Sequence, residues 1–126
     1  RIVVTDDDDD SRDLIAMTLQ EGGARVATAS SAEAAFELIR MEPPDLLISD
    51  IGMPDEDGFS LMRRVRALPR ESGGDVPALA LTAYAREEDA RHALAVGFDE
   101  HLRKPIAPDA LVAAAHRVAK RNGARA

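Results

Sequence analysis

The sequence predicts a doubly wound α/β domain. Five short aliphatic or β-branched runs alternate with five longer amphipathic ones, the central strand runs are apolar without period-two alternation, and polar residues recur where the strands end. Alternation of the two element types implies parallel strands joined by helical crossovers. Strands apolar on both sides imply helices on both faces of the sheet.

Ile2 to Thr5 forms the first strand, and Asp10 to Glu21 follows with apolar residues at helical spacing until Gly22, where a helix is expected to stop. Ala24 to Ala29 is the second strand. Ser30 and Glu33 have capping-box spacing ahead of a helix over Ser31 to Met41, which Pro43 and Pro44 prevent from continuing. Asp45 to Ser49 carries the apolar run Leu46-Leu47-Ile48 of the third strand and leads, after a loop, into a helix over Gly58 to Leu68. The stretch Glu71-Ser72-Gly73-Gly74 reads as an exposed loop and not as a domain boundary. Val76 to Leu81 is the fourth strand, Arg86 to Val96 the fourth helix ending at Gly97, and Phe98 to Arg103 the fifth strand. Pro108, suited to a first helical turn, opens the last helix, which runs to about Lys120. Such a (βα)5 order fits one open five-stranded parallel sheet, in which the common strand order is 2-1-3-4-5.

At 126 residues, 45% of them apolar and only 3% aromatic, the chain is expected to form one domain around an aliphatic core. The net charge of −7 argues against direct nucleic-acid binding, which rests on clustered Lys and Arg. Cysteine is absent, excluding disulfides, thiolate metal sites and a cysteine nucleophile, and fitting a reducing, cytoplasmic compartment. No apolar run approaches the roughly 20 residues of a membrane span, and the first residues show no signal-peptide pattern. Because it begins at Arg1, inside a strand run, residues 1–126 are expected to be a piece of a longer protein.

In open α/β sheets, sites form outside the carboxyl ends of the strands. There the first strand presents Asp6 and Asp7, the third Asp50, the fourth Thr82, and the fifth Lys104 followed by Pro105. With the first and third strands adjacent, Asp6, Asp7 and Asp50 face one another. Two carboxylates about 4 Å apart repel by about 4 kcal/mol at an effective dielectric of 20, so the trio needs a neutralising cation. Mg²⁺, with Mn²⁺ as a substitute, suits a few carboxylates completed by waters and phosphate oxygens. This equipment suits in-line phosphoryl transfer to Asp50, with Lys104, the Thr82 hydroxyl and the backbone N–H of Ala83 each serving one phosphoryl oxygen.

These motifs resemble the response-regulator receiver domain of two-component signalling. The matching elements are Ile2-Val3-Val4-Thr5-Asp6-Asp7-Asp8, Leu46 to Pro54 around Asp50, Asp57-Gly58, Ala80-Leu81-Thr82-Ala83, Ala95 to Phe98, and Lys104-Pro105, in the family's order along essentially the whole chain. The resemblance implies a flavodoxin-like fold and Mg²⁺-dependent transfer to Asp50 from a phosphohistidine of a histidine kinase or histidine phosphotransfer domain. It further implies Asp6 and Asp7 as the metal pair, the Gly52 carbonyl as an added ligand, and Thr82 and Lys104 as readers of the phosphorylated state. Such a domain catalyses its own phosphorylation and dephosphorylation without turning over an external substrate, and signals to an output element that the sequence does not name. Gly52 and Tyr84 stand where the family tunes hydrolysis of the acyl phosphate, so a bulky Tyr84 is expected to lengthen its lifetime. His101 replaces the aromatic residue that usually relays the switch. The stretch Ala80 to Lys104 resembles receivers attached to hybrid sensor histidine kinases, with a stand-alone receiver or a DNA-binding regulator as alternative parents.

Blander readings stand beside these. Taken alone, Asp6 to Asp10 is equally a solvated acidic run, and Asp8 to Asp10 are best read as helix N-terminal charges. His92 and His116 read as surface-helix residues, while Phe36, Phe59, Phe98 and the methionines read as core. Two other functions compete: a receiver-shaped docking or dimerisation module that does not cycle phosphate, and an aspartyl-nucleophile phosphatase. The second lacks an acid two residues after Asp50, where Gly52 stands.

Overall fold

The structure, a computed structural model, describes residues 1–83 and 87–120. Its strands are β1 (Ile2–Thr5), β2 (Val26–Ala29), β3 (Leu46–Asp50), β4 (Ala78–Thr82) and β5 (Glu100–Arg103). Its helices are α1 (Asp9–Glu21), α2 (Ala32–Met41), α3 (Gly58–Arg66), α4 (Glu87–Val96) and α5 (Pro108–Ala119), with a 3₁₀ turn at Arg70–Ser72. The five strands form one parallel sheet in the order β2-β1-β3-β4-β5, as expected.

The unbroken apolar runs follow from burial on both faces. Val3, Leu47, Ala78 and Ala80 point to one side, where Ala35 and Ile39 of α2 and Leu61, Met62 and Val65 of α3 cover them. Ile2, Val4, Leu46, Ile48, Leu79 and Leu81 point to the other, against Ile15 and Leu19 of α1 and Leu111, Ala114 and Val118 of α5. Side chains of successive strand residues alternate between faces, so only a strand covered twice can afford apolar residues throughout. Among the described residues, no helix is long and apolar enough to cross a membrane.

Local chemistry shifts several boundaries. Asp8 caps α1, accepting from the Asp10 N–H at 3.2 Å, so the helix begins one residue before the expected Asp10. The cap of α2 is Ser31, which accepts from the Ala34 N–H at 3.2 Å, and not Ser30; Glu33 instead reaches across to Arg64 at 3.0 Å. β5 starts later than the expected Phe98, because the Asp99 side chain takes the Ala78 N–H at 2.8 Å before the strand ladder begins. β3 runs on to include Asp50, paired with Leu81.

The segment expected to be an exposed loop at 71–74 is a packed turn. Gly73 is buried with φ of 106°, and a Cβ there would lie 2.7 Å from Ile39 Cγ2. Only glycine combines that left-handed backbone with so close an approach. The core assignments hold for the phenylalanines and only in part for the methionines: Phe98 is buried, and Phe36 and Phe59 are half-buried against the core, Phe36 under the Arg64 guanidinium at 4.2 Å and Phe59 stacked on His92 at 4.0 Å. Met53 and Met62 are core residues, whereas Met17 and Met41 are exposed.

Candidate functional site

Parallel strands bring all their carboxyl ends to one edge of the sheet, and there the predicted polar residues meet. Asp6 follows β1 directly and is fully buried, its N–H bonded to the Ala29 carbonyl at 3.2 Å. Its Oδ1 accepts the Asp8 N–H at 3.0 Å and its Oδ2 accepts from Lys104 Nζ at 2.9 Å. Asp50, at the end of β3, is 8% exposed; its Oδ1 accepts the Gly52 N–H at 3.2 Å, and its Oδ2 lies 3.5 Å from Lys104 Nζ. Asp7 is exposed at the mouth. Carboxylate oxygens of Asp6, Asp7 and Asp50 all lie within 4.8 Å of one another.

The charges are unbalanced. Three carboxylates converge on one ammonium, leaving two negative charges in a site whose deepest member is fully buried. Burial raises the Asp50 carboxyl above its ordinary pKa, aided by the Asp6 charge and opposed by the Gly52 N–H and by Lys104. For Lys104, burial pulls down, but the Asp6 hydrogen bond and the charges of Asp50 and Asp6 outweigh it and the net shift is upward. Its ammonium therefore stays charged. A hard divalent cation fits the remaining deficit: the donors are all carboxylate oxygens, they are close enough to share one ion, and the exposed Asp7 side leaves room for waters.

Thr82 ends β4, is buried, and follows Leu81, the register partner of Asp50, so it lies one residue beyond Asp50 on the neighbouring strand. The Lys104 N–H bonds the Thr82 carbonyl at 2.7 Å, tying the two together, and the Lys104–Pro105 peptide is cis. Ala83 is exposed just past the strand. His101 lies exposed on the edge strand β5, opposite Ala80. Tyr84 lies outside the described residues.

Two contributors escaped the sequence reading. Arg12 of α1 donates to the Asp6 carbonyl at 3.0 Å and pairs with Asp9, strapping the acidic loop to its helix. Its i,i+3 spacing from Asp9 was the available signal. Gly58 packs so tightly that a Cβ would lie 2.7 Å from both the Asp50 carbonyl oxygen and Ile51 Cα. Asp57-Gly58 was visible as a motif, but the close approach was not. Beside the site, a groove of about 370 Å³ runs between α1 and the start of α5, lined by Leu14, Ile15, Thr18, Pro105, Ile106 and Leu111.

Comparison with known proteins agrees with this geometry. The response regulator receiver domain family matches residues 2–116. An uncharacterized 14.6 kDa protein in the sodA1 3' region of Leptolyngbya boryana is 50% identical over 111 residues, which are 88% of this chain and 83% of that protein. The phosphate regulon transcriptional regulatory protein PhoB of Pseudomonas aeruginosa is 33% identical over 97% of this chain but only 52% of its own length, so the chain spans about half of that regulator. The chemotaxis protein CheY4 of Vibrio cholerae superposes with a TM-score of 0.86 at 31% identity, covering 93% of this chain and 96% of CheY4. With the family matched over nearly its whole length and the sheet order and strand-end residues in place, the chain belongs to the response regulator receiver domain family.

Proposed function

We propose that this domain is a phosphorylatable signalling switch in which Asp50 accepts a phosphoryl group from a phosphohistidine of a histidine kinase or phosphotransfer domain. The observation that carries the proposal is the convergence of Asp6, Asp7 and Asp50 oxygens within 4.8 Å, with Lys104 bridging Asp6 and Asp50. In the reaction a carboxylate oxygen of Asp50 bonds to phosphorus as the phosphorus–nitrogen bond of the donor breaks, and the electron pair leaves with the imidazole. In this reading Asp6, Asp7, Asp50 and the Gly52 carbonyl would hold a divalent ion, Mg²⁺ by choice and Mn²⁺ as a substitute. When bound, that ion neutralises charge on the phosphoryl oxygens.

This chain's own residues do the positioning. The Gly52 N–H fixes one Asp50 oxygen, leaving the other toward Lys104. Lys104 is ready to exchange part of its contact with the carboxylates for a phosphoryl oxygen, while the Thr82 hydroxyl and the Ala83 N–H serve the others. Movement of Thr82 and Lys104 toward the phosphoryl group then alters the surface presented to an output element. The groove, lined in part by the exposed Leu14 of α1, supplies apolar surface next to the acidic mouth, where the phosphodonor docks.

Incubation with Mg²⁺ and acetyl phosphate, followed by intact mass measurement, tests the proposal. A gain of about 80 Da, the mass of one phosphoryl group, is expected for the native chain and not for Asp50→Asn or for a sample containing excess chelator. Equal labelling of native and Asp50→Asn chains would sink the acceptor assignment.

A further inference from the structure

The loop joining Asp50 to α3 is clamped from both ends around a strained residue. Asp55 has φ of 66°, the left-handed region that a non-glycine residue occupies at a cost, and it is the one such residue among those described. Before it, Met53 is buried, with the Thr5 hydroxyl 3.5 Å from its sulfur. After it, Glu56 accepts from the Ser60 hydroxyl at 3.0 Å and from Arg64 Nη1 at 2.7 Å. Arg64 is itself fixed: it lies over the Phe36 ring at 4.2 Å and bonds Glu33 of α2 at 3.0 Å. Between the Met53 anchor and Asp50 sits Gly52, whose N–H holds the Asp50 carboxylate.

We infer that Glu56, clamped by Arg64 and Ser60, is a positioning residue that sets how tightly the acidic site takes its divalent cation. The inference rests on the metal reading proposed above. Backbone strain persists only where the surroundings over-determine it. With Glu56 released, Asp55 relaxes, and the change passes back along Pro54 and the buried Met53 to Gly52 as a small shift of the proposed carbonyl ligand, leaving the Asp50 carboxylate in place. Glu56 touches neither the ion nor the phosphoryl group; it acts through the peptide between Asp50 and α3.

The test is a Mg²⁺ titration followed by the backbone amide shifts of Asp7 and Gly52, in the native chain and in Glu56→Ala, Arg64→Ala, the double variant and Glu33→Ala. Outer partners of metal ligands typically change affinity by about 10–100-fold; acting through backbone, Glu56→Ala and Arg64→Ala should each weaken Mg²⁺ by about 3–10-fold. The double variant should be no worse than either single one, because both break the same clamp. Glu33→Ala, which removes the other partner of Arg64 but leaves Glu56 held, should stay within about 1.5-fold of native. In acetyl phosphate labelling, the half-saturating Mg²⁺ concentration should rise while the rate at saturating Mg²⁺ stays nearly constant, a split that general loss of fold does not produce. Glu56→Gln, which keeps an acceptor oxygen for Ser60 and Arg64, should lie between native and alanine and guards against a poorly folded alanine variant. A native Mg²⁺ response with Glu56→Ala and Glu56→Gln unchanged overturns this inference alone. No Mg²⁺ response in the native chain overturns the metal reading and this inference with it.

Discussion

Replacing Asp50 by Asn should stabilise the domain in the absence of divalent ions. Lys104 lies 3.5 Å from the Asp50 carboxylate, an attraction of about 4.7 kcal/mol at an effective dielectric of 20. Asp6, with a carboxylate oxygen within 4.8 Å, opposes it by at least about 3.5 kcal/mol, and the exposed Asp7 adds on the order of 1 kcal/mol more. The charges nearly cancel, so the desolvation of a buried carboxylate is left poorly compensated, in keeping with the raised pKa of Asp50. Asn keeps an oxygen for the Gly52 N–H and leaves the Lys104–Asp6 pair in place. The expected gain at pH 7 is on the order of 1–2 kcal/mol, or roughly 3–10 °C in Tm.

The pH dependence has a definite sign. Between the ordinary carboxyl pKa and the higher folded-state value, the folded chain holds a proton on Asp50 that the unfolded chain has released. Native stability contributed by Asp50 is therefore present at low pH and lost as pH rises through the folded value. The advantage of Asp50→Asn should shrink as pH falls toward the ordinary carboxyl range. Urea unfolding followed by circular dichroism, at pH 7 and at mildly acidic pH, with and without Mg²⁺, measures all of this. Saturating Mg²⁺ should stabilise the native chain more than the variant, because an ion held as proposed would bind only the folded site. A variant less stable than native in chelator at pH 7 would refute the charge argument.

Two further substitutions probe the surroundings of the site. Lys104→Ala strips the fully buried Asp6 of its cation and should cost on the order of 2–4 kcal/mol in chelator, with part of the loss recovered in Mg²⁺; a loss unaffected by Mg²⁺ would show that neutralisation is not the reason. Gly58→Ala places a Cβ against backbone atoms of Asp50 and Ile51 that cannot swing aside, so a loss of about 1–3 kcal/mol together with slower labelling of Asp50 is expected, both read from the unfolding and mass assays.

Much of the fold was legible because burial on both faces leaves a plain trace: Leu46-Leu47-Ile48 divides between the two cores, Leu47 facing α2 and α3 while Leu46 and Ile48 face α1 and α5. The site was legible for a related reason. A parallel sheet gathers its strand ends at one edge, so Asp6, Asp50, Thr82 and Lys104 meet although nearly a hundred residues of chain separate the first from the last. Distances were not legible. Lys104 sits closer to Asp6 than to Asp50, a difference set by side-chain reach across the edge. The choice of Ser31 over Ser30 as a cap turns on a single residue of helix register, and the packed turn at Gly73 looks loop-like because glycine marks both flexibility and close approach. The Glu56–Arg64 clamp joins residues eight apart through a loop whose path no periodicity describes.

The central claim is that the phosphoryl group resides on Asp50. Borohydride reduces an aspartyl phosphate to homoserine and leaves free carboxylates intact, so reduction of the acetyl phosphate-treated chain, followed by peptide mass spectrometry, reads the acceptor directly. Homoserine at position 50, dependent on both phosphodonor and Mg²⁺, is the predicted result. Homoserine at position 6 or 7 instead, or its formation at position 50 without the phosphodonor, would contradict it.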